Sequence, residues 1–359
     1  MTFAIAAAGT GGHVYPGLAV GEALVELGVP RSDVVFVGGE RLEATIYPRA
    51  GFPFLSVELR GLQRRLTASN LGIPGVVRRA VGVIGDELRN RDVAALLGLG
   101  GYVTVPASLA ARRAKIPYAV AEQNAGAGLA NRLMARGAAR VFGSFPHTHG
   151  LARAEWVGNP IRRSLAEFDR SRLRRPALER WGLDPTHPTL GVFGGSLGAG
   201  VVNRAVTAVA TAWSGPPLQI LHIAGQGAAE VLGAARVSPH RWVVLDFCDE
   251  MDSFFAACDL VVARAGGSVA ELTATATPSI LVPGGFGSGG HQAANAAAVA
   301  DVGAAVVLAE EEIVRLGVTV AVLLEDPPRR AAMASACSRL ARPGAARAIA
   351  EAMTEMAVR

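Results

Sequence analysis

Lysine is almost absent from this chain: of its 35 basic residues only Lys115 is not arginine. With a net charge of +5, that bias favours anionic partners such as phosphates or anionic lipid, and genome composition accounts for it equally well. Cysteine is scarce too. Cys248, Cys258 and Cys337 show no paired spacing, which excludes a disulfide framework or a zinc site and points to reduced thiols in the cytoplasm. No run of 18 or more apolar residues is free of charges and breakers, so no transmembrane helix is expected and any membrane contact is peripheral. The start of the chain has no charged leader or small-residue cleavage site before its first strand pattern, so no export signal is expected. There is no Asp-x-Asp pair or His/Asp cluster with ligand spacing at a strand end, so no metal is expected. No charge block stands out, and no nucleic-acid partner is expected.

What is present is a pair of glycine-rich turns. Gly9-Thr10-Gly11-Gly12-His13 and Gly194-Gly195-Ser196-Leu197-Gly198 each follow a short apolar run and precede a helical pattern. Such turns leave backbone NH groups and a helix N-terminus facing a cavity, which suits a phosphate or a sugar oxygen. With 359 residues, 50% of them hydrophobic, the chain can fill two cores of roughly 150 to 200 residues each. Strand-like and helix-like segments alternate along both halves, the strands falling at Phe3–Ala8, Val34–Val37, Phe54–Leu59, Val93–Leu97, Tyr118–Ala121 and Arg140–Gly143, then at Leu190–Phe193, Leu218–Ile223, Trp242–Leu245, Leu260–Ala263, Ser279–Val282 and Ala305–Leu308. The expected fold is α/β, two Rossmann-like domains facing each other across a cleft. Domain one is expected at 1–160 and domain two at 161–344, the Gly/Pro-punctuated stretch from Trp156 to Arg162 forming the crossing. A final helix at 345–359 is expected to pack back on the first domain.

The first turn is a poor dinucleotide fingerprint, because Val14 stands where the third glycine belongs, and Glu40 is only loosely spaced as a ribose-binding acid. His13 opens a helix beside the expected cleft. Its ring suits a general base for a hydroxyl nucleophile, and a cap or a packed side chain is the plainer reading. The glycines of Gly98-Leu99-Gly100-Gly101-Tyr102 let backbone approach a ligand or another loop. Glu122-Gln123-Asn124 ends a strand where open α/β sheets place ligand groups, and it suits sugar hydroxyls; Asn131 and Arg132 read as structural. In the second half, Arg264 to Glu271 runs from a strand into a helix through small residues that expose NH donors, a diphosphate site in which Glu271 accepts from ribose hydroxyls. Glu271 is otherwise an ordinary helix-dipole partner. Gln292 and Asn295, behind the glycine-rich loop 283–290, read as sugar recognition or as caps. The stretch from Arg60 to Arg89 mixes Leu62, Val76, Val77, Val81 and Ile84 with Arg64, Arg65, Arg78 and Arg79. It fits either an anionic bilayer surface or a helix with its apolar face in a core.

Seven segments in order, GTGGHVYPGLAV (9–20), GLGGYVTVPASLAA (98–111), EQNAGAGLANRL (122–133), VGNPIR (157–162), GGSLGAGVVN (194–203), RAGGSVAEL (264–272) and HQAANA (291–296), resemble the MurG family of GT-B glycosyltransferases. The resemblance implies an inverting, metal-free and cofactor-free transfer of N-acetylglucosamine from UDP-N-acetylglucosamine to the muramyl 4-hydroxyl of an undecaprenyl-diphosphate-linked muramyl-peptide, on the cytoplasmic side of the cell membrane. It implies donor contacts at Thr10, Gly11, Gly12, Asn124, Arg162, Ser196, Gly267, Ser268, Val269, Ala270, Glu271 and Gln292, and a backbone contact to uracil at Cys248. His13 is the base it offers, with Tyr102 and Glu122 on the acceptor side. Another GT-B transferase or a UDP-sugar epimerase is the alternative enzyme. A non-catalytic nucleotide-sugar binder is the alternative of another class, suggested by a 264–271 segment one residue shorter than the usual family form.

Overall fold

The structure is a computed structural model and describes residues 1–58, 73–195, 198–215, 217–228, 241–285 and 290–358. It contains two compact units, Met1–Arg162 with Arg342–Arg359, and Arg163–Ala341.

The first unit runs β1 (Thr2–Ala6), α1 (Gly11–Glu26), β2 (Val34–Gly38), α2 (Glu43–Arg49), β3 (Phe54–Ser56), α3 (Ile73–Asn90), β4 (Val93–Gly98), α4 (Thr104–Arg113), β5 (Tyr118–Glu122), α5 (Leu129–Met134), β6 (Arg140–Gly143) and β7 (Glu155–Trp156). Its seven strands lie in the order β3-β2-β1-β4-β5-β6-β7, and every pairing is parallel. The uninterrupted apolar run at the start of the chain follows from burial on both faces. Phe3, Ile5 and Ala7 point into a layer shared with Val20 and Leu24 of α1. Ala4, Ala6 and Ala8 point the other way, toward Ile84 and Leu88 of α3 and Ala107 and Ala110 of α4. Close packing of α1 depends on Gly21, where a Cβ would stand 2.6 Å from Phe36 Cζ. Phe36 cannot yield, since its ring stacks on Tyr47 at 3.9 Å and meets Phe52 edge-on.

Trp156, read from sequence as part of the crossing, instead ends a two-residue edge strand beside β6. That edge is guarded by charge, Arg140 gripping Glu155 through two bonds of 2.7 Å.

The second unit continues with α6 (Arg163–Ala166), α7 (Arg170–Trp181), β8 (Thr189–Phe193), α8 (Gly200–Ala212), β9 (Gln219–Ile223), β10 (Arg241–Leu245), α9 (Met251–Ala257), β11 (Leu260–Ala263), α10 (Ser268–Ala274), β12 (Ser279–Leu281), α11 (His291–Ala300), β13 (Ala305–Val307), α12 (Leu316–Leu324) and α13 (Pro327–Leu340). Its sheet order, β10-β9-β8-β11-β12-β13, repeats the winding of the first. Asp169 caps α7 by accepting from Ser171 N at 2.9 Å. Arg170 and Arg174 then reach the carbonyl end of α9, donating to Ala256 O and to Cys258 O or Ala257 O, where a cation suits the helix dipole. The chain returns to the first unit as α14 (Ala345–Val358). Ile349, Met353 and Met356, spaced a turn apart, join the α1 side of the first core. The final helix therefore packs on the N-terminal domain as the sequence indicated.

Several polar side chains of the second unit are buried, among them Thr189, Asn203, Gln219, His222 and Asn295. His222 of β9 is fully buried, its ring stacked parallel to Trp242 at 6.1 Å. Asn203 Nδ2 donates to Ala224 O at 2.8 Å, so its Oδ1 is the acceptor for His222 Nε2–H at 3.0 Å. Nδ1 has no hydrogen-bond partner among the described residues. Burial pushes the imidazole down from 6.5 to about 4, so the folded state holds it neutral. Between those two values the unfolded chain takes a proton that the folded chain refuses, and stability falls as pH falls. The loss approaches about 1.4 kcal/mol per pH unit, on the order of 3 kcal/mol across the interval. Denaturant midpoints measured from about pH 7 to pH 4 are expected to drop more steeply in the wild type than in His222→Gln, which keeps a donor for Asn203 and does not titrate. Parallel profiles would refute this account.

Candidate active site

In both sheets the strand order reverses beside the first strand, between β1 and β4 and between β8 and β11. Crevices for ligands open at the carboxyl ends of strands at such reversals. Most of the residues singled out from sequence lie at these ends.

In the first unit, Gly9 adopts a left-handed φ of +106°, and Thr10 is extended at the head of α1 without a side-chain cap. The Thr10 carbonyl accepts from His13 N at 3.0 Å and Val14 N at 3.1 Å, and its Oγ1 lies 3.5 Å from His13 Nδ1. The imidazole lies over the neighbouring loop, where a Cβ on Gly100 would come within 3.1 Å of His13 Nε2. Gly101, with φ +72°, passes closer still to Ala8, its Cβ position 2.7 Å from that carbonyl oxygen. Thr104 pins this second loop, its hydroxyl bonding both Gly100 N and Gly100 O at 2.8 Å. The His13 residue is partly covered.

Glu122 is buried, 3% exposed, and its carboxylate is engaged by its own loop. One oxygen accepts from Asn124 N and Nδ2 at 3.0 and 2.9 Å, the other from Gly128 N and Asn131 Nδ2 at 3.0 and 2.8 Å. The loop carrying Asn124 is thus held by four bonds to one anion. Asn131 is structural, as the sequence suggested, and bonds Ala121 O as well. Arg162 belongs to this unit and stacks its guanidinium over Tyr15 at 4.7 Å, two residues from His13.

A second buried carboxylate was not singled out from sequence. Glu40, weighed as a ribose acid, is exposed, whereas Glu43 is fully buried. It accepts from Gly9 N at 3.2 Å, Gly39 N at 3.0 Å and Tyr102 Oη at 3.2 Å. Burial, and then the charge of Glu43, push the Tyr102 phenol up to about 12. The fit of Glu43 depends on Gly38, where a Cβ would strike Glu43 Cγ at 2.7 Å.

In the second unit the turn after β8 has Gly195 and Gly198 at φ +88° and +71°. Ser196, named from sequence, lies outside the described residues. Gly198 abuts the strand neighbour, its Cβ position 2.7 Å from Ala224 O. The segment Gly267–Ala270 forms the head of α10 directly after β11, and Glu271 follows in its first turn. Ser268 Oγ donates to Arg264 O at 2.8 Å, and Asn295 Nδ2 donates to Ala265 O at 3.0 Å. Arg264 donates to Val282 O at 3.0 Å and pairs with Glu310 at 2.5 Å, so the start of this segment is tied to two other strand ends. Gln292 Oε1 accepts from Gly284 N at 2.8 Å. Val269 and Cys248 are buried.

Part of the basic stretch from Arg60 to Arg89 is visible as α3. Ala80, Val81, Ile84 and Leu88 of that helix face the core, while Arg78, Arg79 and Val83 are exposed. Residues 60–72 of the stretch lie outside the described residues.

Both halves match known families. Residues 3–143 match the glycosyltransferase family 28 N-terminal domain, and residues 189–350 match the glycosyltransferase family 28 C-terminal domain. A relative from Halorhodospira halophila, named UDP-N-acetylglucosamine–N-acetylmuramyl-(pentapeptide) pyrophosphoryl-undecaprenol N-acetylglucosamine transferase, is 41% identical over 99% of this chain and 98% of its own. A relative of the same name from Clavibacter sepedonicus is 40% identical over 96% and 94%. Among solved structures, Acinetobacter baumannii MurG superimposes with a TM-score of 0.79 at 26% identity, covering 99% of both chains. A UDP-GlcNAc 2-epimerase from Neisseria meningitidis reaches 0.67 at 14% identity over 99% and 100%, a likeness of fold alone. Similarity at that level across nearly the whole length places the chain in the MurG family of N-acetylglucosamine transferases, within glycosyltransferase family 28.

Proposed function

We propose that this transferase moves N-acetylglucosamine from UDP-N-acetylglucosamine to the muramyl 4-hydroxyl of an undecaprenyl-diphosphate-linked muramyl-peptide, inverting the anomeric centre. The observation that carries the reading is His13, partly covered at the carboxyl ends of β1 and β4, in a chain whose second sheet offers small-residue NH donors at the equivalent ends. The acceptor oxygen attacks the anomeric carbon, the bond from that carbon to the diphosphate breaks, and the hydroxyl proton passes to His13. UDP departs with its charge met by NH groups of Gly267 to Ala270, by Ser196 and by Arg162. Glu271 accepts from the ribose hydroxyls and Gln292 holds the sugar. Thr10, Gly11, Gly12 and Asn124 complete the donor contacts, and backbone at Cys248 meets the uracil. Tyr102 and Glu122 shape the acceptor side. On this reading residues 1–160 with 345–359 form the acceptor domain and 161–344 the donor domain.

A lipid-linked acceptor sets the enzyme at the cytoplasmic face of the cell membrane as a peripheral protein. Supporting this, α3 exposes Arg78, Arg79 and Val83, a small basic surface suited to anionic lipid.

Purified protein given radiolabelled UDP-N-acetylglucosamine and a lipid-linked muramyl-peptide analogue is expected to form a β-1,4 disaccharide, and absence of product over a long time course would overturn the reading. His13→Ala is expected to lower kcat by about 10²- to 10⁴-fold while leaving donor affinity within a few-fold, measured by steady-state kinetics and calorimetry; equal losses in both would remove the base assignment. Glu271→Gln is expected to weaken UDP binding by about tenfold or more, as charged hydrogen bonds are lost, with unchanged affinity counting against the ribose role.

A further inference from the structure

Glu43 carries more of the first unit's loop geometry than its place on a short helix suggests. Its two oxygens receive donors from three chain segments: Gly9 N after β1, Gly39 N after β2, and the Tyr102 hydroxyl after β4. Three donors converging on one buried group call for an acceptor-only side chain. An amide at this place would turn NH₂ toward one of the donors. Room for the carboxylate depends on Gly38 and Gly39, the latter with its Cβ position 2.4 Å from Tyr102 Oη and 3.1 Å from Glu43 Oε1.

The constraint passes on to His13 through short links. Gly9 holds its left-handed turn against Tyr102, with its Cβ position 3.6 Å from Tyr102 Cε1. Thr10, the next residue, accepts from His13 N and sets its hydroxyl near Nδ1. The far side of the imidazole meets Gly100, one residue before the Gly101 that rests on the Ala8 carbonyl. Release of Gly9 and Tyr102 from Glu43 would loosen both walls around this ring.

We propose that Glu43 is a positioning residue for the transfer reaction: by holding Gly9, Gly39 and Tyr102 it fixes the His13 imidazole where the acceptor hydroxyl is deprotonated. This rests on the reading of His13 as the base. It adds a residue that touches neither substrate, acting on the turn that bears the base.

The test is a double-mutant cycle. Glu43→Gln is expected to reduce kcat by about 10- to 100-fold, the scale of a misplaced catalytic group, with UDP affinity by calorimetry changed less than about twofold. In Glu43→Gln combined with His13→Ala, kcat is expected to match that of His13→Ala alone, because a residue acting through the base adds nothing once the base is gone. Unchanged kcat in the single variant, or losses that multiply in the double, would overturn the proposal. Should Glu43→Gln fail to fold, Tyr102→Phe removes one donor and leaves the carboxylate in place; it is expected to lower kcat less and to show the same non-additivity with His13→Ala, and full additivity would overturn the proposal. A wild type without transfer activity would sink the reaction reading instead. The His13 ring resonances in NMR then still decide this inference: they are expected to shift in Glu43→Gln, or in Tyr102→Phe, and identical resonances would overturn it.

Discussion

A parallel sheet forces every strand to end on the same edge, because each connection must cross back over a face before the next strand begins. In this chain that constraint operates twice, with the same winding in a seven-stranded and a six-stranded sheet. It gathers onto one edge of each sheet residues that lie far apart in sequence, such as Gly9, Glu43, Tyr102 and Asn124 in the first unit. Backbone NH groups at such an edge lack ladder partners and must find acceptors elsewhere. The first unit supplies them from below with two buried anions, Glu43 and Glu122, which between them hold the loops after four of its strands. In the second unit Asn203, Asn295 and Arg264 instead donate to the loop carbonyls of Ala224, Ala265 and Val282, and the uncharged Gln292 accepts from Gly284 N.

The alternation of strands and helices was legible because both sheets are covered on both faces, so their strands read as plain apolar runs such as Phe3–Ala8 and Leu260–Ala263. The glycine turns were legible for a similar reason: positive φ at Gly9, Gly195 and Gly198 leaves little choice of residue. The edge strand at Glu155–Trp156 was hidden, since two residues beside glycine and proline carry no periodicity. Glu43 was hidden more deeply. A carboxylate at the start of a helix looks like an ordinary dipole partner, and only tertiary structure reveals that its oxygens point at two other loops. Glu122 was found at the right strand end, but its engagement by Asn124, Gly128 and Asn131 follows from a loop path that sequence does not specify.

The near-absence of lysine acquires a structural meaning alongside the electrostatic one. Many of the arginines act through the shape of the guanidinium. Arg170 and Arg174 fan out over the carbonyls that end α9, and Arg330 does the same for Leu323 O and Leu324 O at the end of α12, both at 2.6 Å. Arg31, Arg162 and Arg342 lie over the rings of Phe52, Tyr15 and Trp156. A compact ammonium group has no flat face to stack on a ring. The bias toward arginine therefore does not by itself measure affinity for anions, because much of it is spent inside the protein.

The last of these contacts bears on how the chain passes between its two units. Gly158 lies on the outgoing passage with φ +92°, and its Cβ position would fall 2.3 Å from Arg342 Cβ on the returning one. Arg342 then covers Trp156 at 3.7 Å. Both passages thus leave the first unit side by side, locked by a glycine that admits the returning backbone and an arginine that covers the edge strand. A side chain at position 158 would have to displace Arg342 and adopt a strained backbone at once. The VGNPIR segment that reads as a linker in sequence is, at its first two residues, part of the packing that anchors the returning chain and α14 behind it.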